Sequence, residues 1–472
     1  MTAPTTYEPT LDGAARALRA GTVTSVELTR RCLDAAEAHD DELGVFLARF
    51  DDRALAAAEA ADAALAAGDD LGPLHGIPLG IKDIITTTEA PTTAQSLILD
   101  RAWGPAIGDA PVAARLRAAG AVFVGKATTM EFAIGRPDES KPFPIPRNPW
   151  NPLTWPGGSS SGTGAGVAAG MFLGGLGTDT GGSIRIPAAF CGISGLMPTF
   201  GRVPKSGCVP LGYSLDHIGP MARAVRDCAH MLQVLAGHDP SDACCADEPV
   251  PDYGGALTGD LTGVRIGVDT LTRSIATDTD PSVPGLLEAA VRVLAERGAD
   301  IVEVELPYYR EMVTADMVTL TAEAMAYHAT DLRARWDDYF AGTRAIVASG
   351  ALYSAADYVQ AQRVRRVAQK ALAELYRDVD LVLTPTCSIG APALDDLDSL
   401  IGGPRGTAMH TGYWDSVGNP VLSLPMGFTA DGLPLGMQLA GRPFDEATVL
   451  RAGDAYQQDT DWHLRTPEGY GS

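Results

Sequence analysis

The composition of this 472-residue chain is typical of a folded globular protein with an acidic surface. Hydrophobic residues make up 46% and charged residues 20%, and the formal net charge is −23. Direct nucleic-acid binding requires clustered Lys and Arg, so this charge argues against it. The opening "MTAPTTYEPTLDG" lacks the basic and apolar parts of a secretion signal, and no run of about 18 apolar residues follows. We therefore expect a cytoplasmic protein without a membrane segment.

Seven cysteines are scattered along the chain without a C-x-x-C pair. This pattern predicts neither a disulfide framework nor a metal site, and nothing else in the sequence calls for a cofactor. Cys244 and Cys245 lie in the polar stretch "HDPSDACCADEPVPDYGG", where we expect them to be exposed to solvent.

The first 70 residues predict an N-terminal helical cover. The segment "TSVELTRRCLDAAEAH" opens with Thr24 three residues before Glu27, which is a capping-box spacing. The Ala-rich segment "DDRALAAAEAADAALAAG" predicts a second helix that ends at Gly68.

The sequence pattern of residues 71–235 predicts a catalytic core. The stretches "GIPLGIKDI" and "GAVFVGKA" predict short apolar strands, and "DAPVAARLRAAG" predicts a helix between them. A Pro-rich loop at 142–156 leads into a block rich in glycine and serine, and residues 238–262 predict a long surface connection.

Residues 263–472 continue the alternation of strands and helices. The segments "GVRIGV", "PGLLEAAVRVLAERG" and "DIVEVEL" predict strand, helix and strand, and "DLVLTPT" and "LGMQLAG" predict later strands. This alternation predicts an α/β fold: one large domain over residues 1–472, whose mixed, mostly parallel central sheet is covered by helices on both faces.

A candidate nucleophile lies in "GTDTGGSIRIPAAFCG", where Ser183 follows two glycines. A serine hydroxyl needs an adjacent base and electrophilic help to attack a carbonyl. The backbone N–H groups expected to hold the resulting oxyanion belong to the loop itself, at Thr180, Gly181, Gly182 and Ser183.

The base for Ser183 has three candidates. His217 is the nearest downstream histidine. Only five of the 36 basic residues are lysines, and two of these, Lys82 and Lys126, lie in predicted apolar strands. Such an amine acts as a base near neutral pH only if its pKa falls by about 3 units from roughly 10.4. The residues alone do not separate Lys82 from Lys126.

The glycine-rich block also admits other interpretations. "GGSSSG" matches the G-x-S-x-G nucleophile elbow with Ser160 at its centre, but the preceding "NPWNPLTWP" contains three prolines and cannot form the strand that the elbow requires. A phosphate cradle would need a Gly-Lys-Ser/Thr that is absent from the block. A purely structural glycine loop is the remaining alternative.

Residues 157–203, "GGSSSGTGAGVAAGMFLGGLGTDTGGSIRIPAAFCGISGLMPTFGRV", resemble the signature block of the amidase signature family. The resemblance extends through "PLHGIPLGIKDII", "GKATTMEFA" and "SLDHIGPMARAVRD". It implies the amidase signature fold and a Ser-Ser-Lys triad, with Ser183 as nucleophile, Ser159 as bridging serine and Lys82 as base. It also implies a cis peptide bond beside the bridging serine, and we expect Asp179 and Arg185 to brace the loop.

The resemblance implies an amidase that cleaves small or medium amides, with esters and aryl carbamates as further substrates. The alternative is the glutamine-hydrolysing A subunit of a tRNA-dependent amidotransferase, and a third hypothesis is a catalytically silent scaffold. The chain departs from the family pattern at Ser161, where many members have glycine, and at Met197, where many have lysine. Members of this family are often homodimers, so the resemblance also suggests a homodimer.

Aromatic residues in two later segments are candidates for the substrate pocket. These are Tyr327, Tyr339, Phe340, Tyr413 and Trp414, and Cys387 of "TPTCSIG" is a further candidate. Ordinary core packing is an equally good interpretation of each.

Overall fold

An eleven-stranded sheet organises the chain, whose computed structural model describes residues 8–274, 279–397 and 408–470. The strand order is β1-β3-β2-β4-β6-β5-β10-β11-β9-β7-β8. The strands are β1 Phe46–Arg49, β2 Pro78–Lys82, β3 Val122–Ala127, β4 Gly174–Asp179, β5 Ser194–Met197, β6 His217–Ala222, β7 Arg265–Val268, β8 Asp300–Glu303, β9 Leu381–Pro385, β10 Val421–Phe428 and β11 Pro434–Gly441.

The sheet is mixed, as predicted, but it is not mostly parallel. Four pairings, β2 with β3 and β4 and β7 with β8 and β9, are parallel, and the other six pairings are antiparallel. The reason lies in the connections, because β10 and β11 form a hairpin across a short turn, and a turn of that length reverses the chain.

The strands of the two halves of the chain occupy separate parts of the sheet. Strands β1–β6 lie together on one side and β7–β11 on the other. The two parts meet where β5 pairs with β10, through Met197 with Val421, Leu196 with Leu422 and Gly195 with Ser423.

Helices surround the sheet. They are α1 Leu11–Arg19, α2 Ser25–Leu43, α3 Asp51–Ala67, α4 Trp103–Ile107, α5 Pro111–Ala118, α6 Ser161–Ala168, α7 Arg185–Cys191, α8 Val225–Leu235, α9 Ser282–Glu296, α10 Tyr309–Ala334, α11 Ala341–Ser349, α12 Ala355–Leu375, α13 Gly412–Val417 and α14 Glu446–Gln458. The capping box of Thr24 and Glu27 is present at the start of α2, and α3 ends at Gly68 in the left-handed conformation. None of the helices in the described ranges is long and apolar enough to span a membrane.

Both faces of the sheet are covered by apolar side chains, as predicted. On β3, Phe123 belongs to the largest hydrophobic cluster, whereas Val122 and Val124 belong to a different one. On β9, Leu383 likewise belongs to the largest cluster and Val382 to a third. Because alternate residues of a strand point to opposite faces, these memberships place packed cores on both sides.

Residues 238–262 contain no helix or strand, but they are anchored in the core. Tyr253 and Leu261 are fully buried in the largest cluster. Cys244 is partly exposed, whereas the expectation of exposure is wrong for Cys245, which is 7% exposed. The physical reason is local packing, because the Cys245 thiol donates a hydrogen bond to the carbonyl of Gly237 at 3.5 Å.

Candidate active site

Lys82 is the last residue of β2, and its amino group lies in a cluster of hydroxyls. Its Nζ is 2.7 Å from Oγ of Ser159, 3.0 Å from Oγ of Ser160 and 2.7 Å from Oγ1 of Thr178. Thr178 reaches this position from β4, which pairs in parallel with β2. An interior strand with parallel neighbours on both sides therefore places the lysine beside the two serines of the glycine-rich loop.

The surroundings of Lys82 favour a neutral amine. The side chain is fully buried, and burial lowers its pKa from 10.5 to about 7. Its three hydrogen-bond partners are neutral hydroxyls, so no carboxylate in direct contact restores the charge. A neutral amine donates two hydrogen bonds and accepts one, which matches three hydroxyl partners.

The two serines beside Lys82 lie in the turn that precedes α6. The Gly158–Ser159 peptide bond is cis, as the resemblance implies. The carbonyl of Ser159 accepts a hydrogen bond from the N–H of Met130 at 3.2 Å. Ser160 is fully buried, and the segment before it forms turns without a strand, so the nucleophile elbow is excluded.

Ser183 lies in the turn between β4 and α7. Its side chain is half-buried, whereas Ser160 has no exposed surface. The carbonyl of Ser183 accepts a hydrogen bond from the N–H of Ser160 at 3.2 Å. This bond ties the turn that carries Ser183 to the turn that carries Ser159 and Ser160.

Asp179 and Arg185 form a fully buried ion pair behind this turn. Nε of Arg185 donates to Oδ2 of Asp179 at 2.9 Å, and Nη2 of Arg185 also contacts Asp415. Although burial opposes ionisation, the charge of Arg185 and its hydrogen bonds lower the pKa of Asp179 to about 2. These contacts lie behind the turn, where the two residues were expected to brace it.

One of the four expected oxyanion donors is already engaged. The N–H of Gly182 donates to Oδ1 of Asp179, so it is not directed at a substrate carbonyl. The reason is the tight turn, in which Gly182 has φ +127 and a Cβ would collide with the hydroxyl of Thr411. Within the described part of the chain, the N–H groups of Thr180, Gly181 and Ser183 have no acceptor.

Thr411 is a contact of this turn that sequence reasoning missed. Its hydroxyl donates to the carbonyl of Gly181 at 2.6 Å, and its own carbonyl accepts from Nη1 of Arg185 at 3.0 Å. The stretch "HTGYWD" around Thr411 carries no motif, and Thr411 and Gly181 are 230 positions apart. Only the fold brings this threonine to the loop.

The structure separates Lys82 from the two other base candidates. Lys126 is also buried, but its Nζ lies 3.3 Å from Oδ1 of Asp83 in an ion pair. His217 lies on β6 with Nδ1 3.3 Å from the carbonyl of Asp179, and burial lowers its pKa to about 4. Neither residue contacts the serines of the glycine-rich loop.

Most of the predicted pocket residues are buried in the core. Tyr413 and Trp414 have no exposed surface, and Cys387 is 1% exposed, so none of these three lines an open pocket. The physical reason is core packing, because Tyr413 stacks on Tyr309 with ring centroids 5.7 Å apart. Tyr339 and Phe340 are also buried in the core, whereas Tyr327 is 45% exposed on α10.

A cavity of about 290 Å³ is lined by Thr178, which contacts Lys82, but not by Lys82, Ser159 or Ser183 themselves. Thr178 and Thr180 form part of its wall, and Ile84, Val209 and Leu211 supply apolar surface. Among the described residues, no His, Cys, Asp and Glu side chains are grouped so as to hold a metal ion.

Comparison with known proteins agrees with this geometry. A family model described as Amidase matches residues 27–450. The A subunit of the Glutamyl-tRNA(Gln) amidotransferase of Chloroflexus aggregans is 43% identical over 97% of this chain and 98% of that protein.

Two solved structures share the whole fold. The native peptide amidase from Stenotrophomonas maltophilia matches with a TM-score of 0.83 at 30% identity, over 98% of this chain and 99% of that chain. The A subunit of the Glutamyl-tRNA(Gln) amidotransferase from Thermotoga maritima matches with a TM-score of 0.79 at 30% identity, over 95% of each chain.

The mixed sheet and the lysine–serine cluster at the end of β2 are typical of a class of hydrolases whose site is built on serine and lysine. The chain belongs to the amidase signature family, hydrolases that act on carbon–nitrogen bonds.

Proposed function

We propose that this protein is a self-sufficient amidase that hydrolyses small or medium amides through an acyl-enzyme on Ser183. Ser159 is the bridging serine and Lys82 the base. The observation that carries the proposal is the 2.7 Å contact of the buried Lys82 Nζ with Oγ of Ser159. An amine with a pKa of about 7 is half neutral near physiological pH, which suits a general base.

Acylation begins when Oγ of Ser183 attacks the substrate carbonyl carbon. The Ser183 proton passes to Oγ of Ser159, and the Ser159 proton passes to Nζ of Lys82. The carbonyl oxygen becomes an oxyanion, which the free N–H groups of Thr180, Gly181 and Ser183 stabilise. One such donor contributes about 3 to 4 kcal/mol in enzymes where it has been removed.

Collapse of the tetrahedral intermediate breaks the carbon–nitrogen bond. The Lys82 ammonium returns its proton through Ser159 to the leaving nitrogen, so the amine departs neutral. Water then attacks the ester carbonyl of the acyl-enzyme and loses a proton along the same route. Release of the carboxylic acid restores the hydroxyl of Ser183.

The proposed substrate range rests on the chemistry of the carbonyl group and on a neighbouring cavity, which Thr178 and Thr180 line but Ser183 does not. The cavity beside Thr178 holds about 290 Å³, close to the lower end of the range for small-molecule sites. Its mixed polar and apolar wall suits amides of modest size, and we include esters and aryl carbamates because they present the same carbonyl to Ser183.

The test is release of p-nitroaniline from p-nitroacetanilide by the purified chain alone. We expect turnover by the natural protein and by Ser140→Ala, which changes an exposed serine outside the cluster. We expect none from Ser183→Ala. A fluorophosphonate probe should label the natural protein and Ser140→Ala but leave Ser183→Ala unlabelled, and equal labelling of all three proteins would refute the role of Ser183.

A second candidate function is that of the glutamine-hydrolysing subunit in a glutamyl-tRNA amidotransferase. The supporting observation is the 43% identity to the Chloroflexus aggregans protein over nearly the whole chain. In this role the chain would hydrolyse glutamine and pass ammonia to a partner that holds the tRNA. Glutaminase activity that appears only with the partner subunits of such an enzyme would favour this function over the first.

A further inference from the structure

Asp316 is a buried carboxyl group that forms no ion pair with the described residues. It lies on α10 with 6% of its surface exposed. Its Oδ1 accepts a hydrogen bond from Oγ of Ser416 at 2.9 Å, and Oδ2 accepts none from the described part of the chain. A buried carboxylate without a cationic partner is costly in free energy, so such a group commonly marks a functional site.

The free oxygen of Asp316 lies against the oxyanion loop. A Cβ built on Gly181 would lie 3.6 Å from Oδ2 of Asp316, with the side chain of Leu320 as the next neighbour. Gly181 is two residues before Ser183, and its N–H is one of the proposed oxyanion donors. A substrate carbonyl held there brings its neighbouring atoms within reach of Asp316.

The nearby arginines do not neutralise Asp316. Arg185 is held by Asp179 and Asp415, and Arg365 donates to the carbonyl of Ser416 and to Ser214. Burial therefore dominates and raises the pKa of Asp316 to about 7. A cation beside Oδ2 would relieve this cost, because an opposite charge favours the ionised carboxylate.

The position of Asp316 indicates that it lies beside the acyl part of the substrate. The leaving nitrogen must face Ser159 and Lys82, which are held by β2 and the turn before α6. Asp316 is held instead by α10 and by Ser416 of α13. Asp316 approaches the loop at Gly181 and makes no hydrogen bond with Lys82 or Ser159, so a group beside it belongs to the part of the substrate that remains on Ser183.

We propose that Asp316 is a specificity-determining residue that binds a positively charged nitrogen close to the carbonyl in the acyl part of the substrate. This inference rests on the proposed amidase function and names its substrate class: amides of amino acids or of similar short amino-substituted acids. The ammonium group donates to Oδ2 while Ser416 holds Oδ1.

Two matched ligands test the proposal by binding, without requiring turnover. Leucine p-nitroanilide and 4-methylpentanoyl p-nitroanilide differ only in the α-ammonium group. Their dissociation constants are measured by calorimetry at pH 7.5 on Ser183→Ala and on Ser183→Ala with Asp316→Asn. We expect Ser183→Ala to bind the leucine compound at least about 10-fold more tightly, as expected for a charged hydrogen bond.

In the double variant we expect this preference to disappear, since Asn keeps the contact with Ser416 but carries no charge. Thermal unfolding checks that Asp316→Asn leaves the fold intact. Equal binding of the two ligands to Ser183→Ala, no binding of the leucine compound, or a preference that survives Asp316→Asn would each overturn the proposal. Hydrolysis of p-nitroacetanilide by the natural protein reports separately on the amidase function.

Discussion

The hydroxyl of Thr411 donates a hydrogen bond to the carbonyl of Gly181, and this bond holds the turn before Ser183. The two residues are 230 positions apart in the sequence. The bond fixes the plane of the Gly181–Gly182 peptide, so that the N–H of Gly182 reaches Asp179. The neighbouring N–H groups of Gly181 and Ser183 have no acceptor among the described residues and are therefore free for the proposed oxyanion. Thr411 acts as a positioning residue through this contact.

Replacing Thr411 tests this role. We expect Thr411→Val to lower kcat on p-nitroacetanilide by about 10-fold or more with little change in KM, because misplaced donors weaken transition-state binding. Thr411→Ser keeps the hydroxyl and should retain most of the activity. Full activity in Thr411→Val together with a loss in Thr411→Ser would show that the methyl packing, rather than the hydrogen bond, matters.

The pH dependence of kcat/KM should follow the protonation of Lys82. Because the neutral amine is the active form and burial lowers the pKa of Lys82 to about 7, activity should rise as the pH increases through about 7. Asp316 is also expected to titrate near 7, so the profile is measured on Asp316→Asn as well. A rising limb that persists in this variant assigns it to Lys82, and its loss would assign it to Asp316.

Substitution of Lys82 should abolish the chemistry and preserve the fold. We expect Lys82→Met to lower kcat by about 10²- to 10⁴-fold, the range for loss of a general base. Stability should change little, since the three partners of Lys82 are neutral hydroxyls and no charged group is left unpaired. Activity near that of the natural protein would contradict the assignment.

Lys126 should behave in the opposite way. Lys126→Met leaves Asp83 buried without its cation, so we expect the free energy of unfolding to fall by about 3 to 5 kcal/mol. Adding Asp83→Asn should recover part of that loss. Chemical denaturation measures both variants, and an unchanged stability in Lys126→Met would show that the ion pair is dispensable.

Arg185 should control both stability and the shape of the site. Arg185→Met removes the partner of two buried carboxyl groups, Asp179 and Asp415, and we expect the free energy of unfolding to fall by about 3 to 5 kcal/mol. Arg185→Lys cannot bridge both groups and should rescue only part of the loss. Thermal unfolding and fluorophosphonate labelling of Ser183 follow the two effects separately.

Local patterns in the sequence predicted the strands and helices that have their own apolar periodicity. "GIPLGIKDI", "GAVFVGKA" and "DLVLTPT" form strands, and the helix between the first two is α5. Strand β4 escaped detection because its sequence "GGLGTD" has little side-chain pattern. Its extended form is imposed by pairing with β2 and β6, which no local signal records.

The residues of the candidate site also divide into those with a local sequence signal and those without one. Ser159 and Ser183 were predicted from the continuous block 157–203, and Lys82 was predicted from the separate stretch "PLHGIPLGIKDII" through the family resemblance; the structure brings Lys82 and Ser159 together. Asp316 and Thr411 were missed because neither lies in a motif and both act through distant partners. For Tyr413 and Trp414 the sequence left both a pocket wall and core packing open, because a short apolar sequence does not distinguish the two, and the structure buries both residues.

The boundary between β5 and β10 divides the residues of the proposed site into two sets that can change separately in evolution. The proposed reacting groups Lys82, Ser159 and Ser183 come from one half of the chain, whereas Asp316 and Thr411 come from the other. Recombination in the connection 238–262 would exchange Asp316, but it would also exchange Thr411 and Asp415, whose contacts with Gly181 and Arg185 the new second half must reproduce. Substitutions at Asp316 alone can change selectivity without any mutation among the proposed reacting groups.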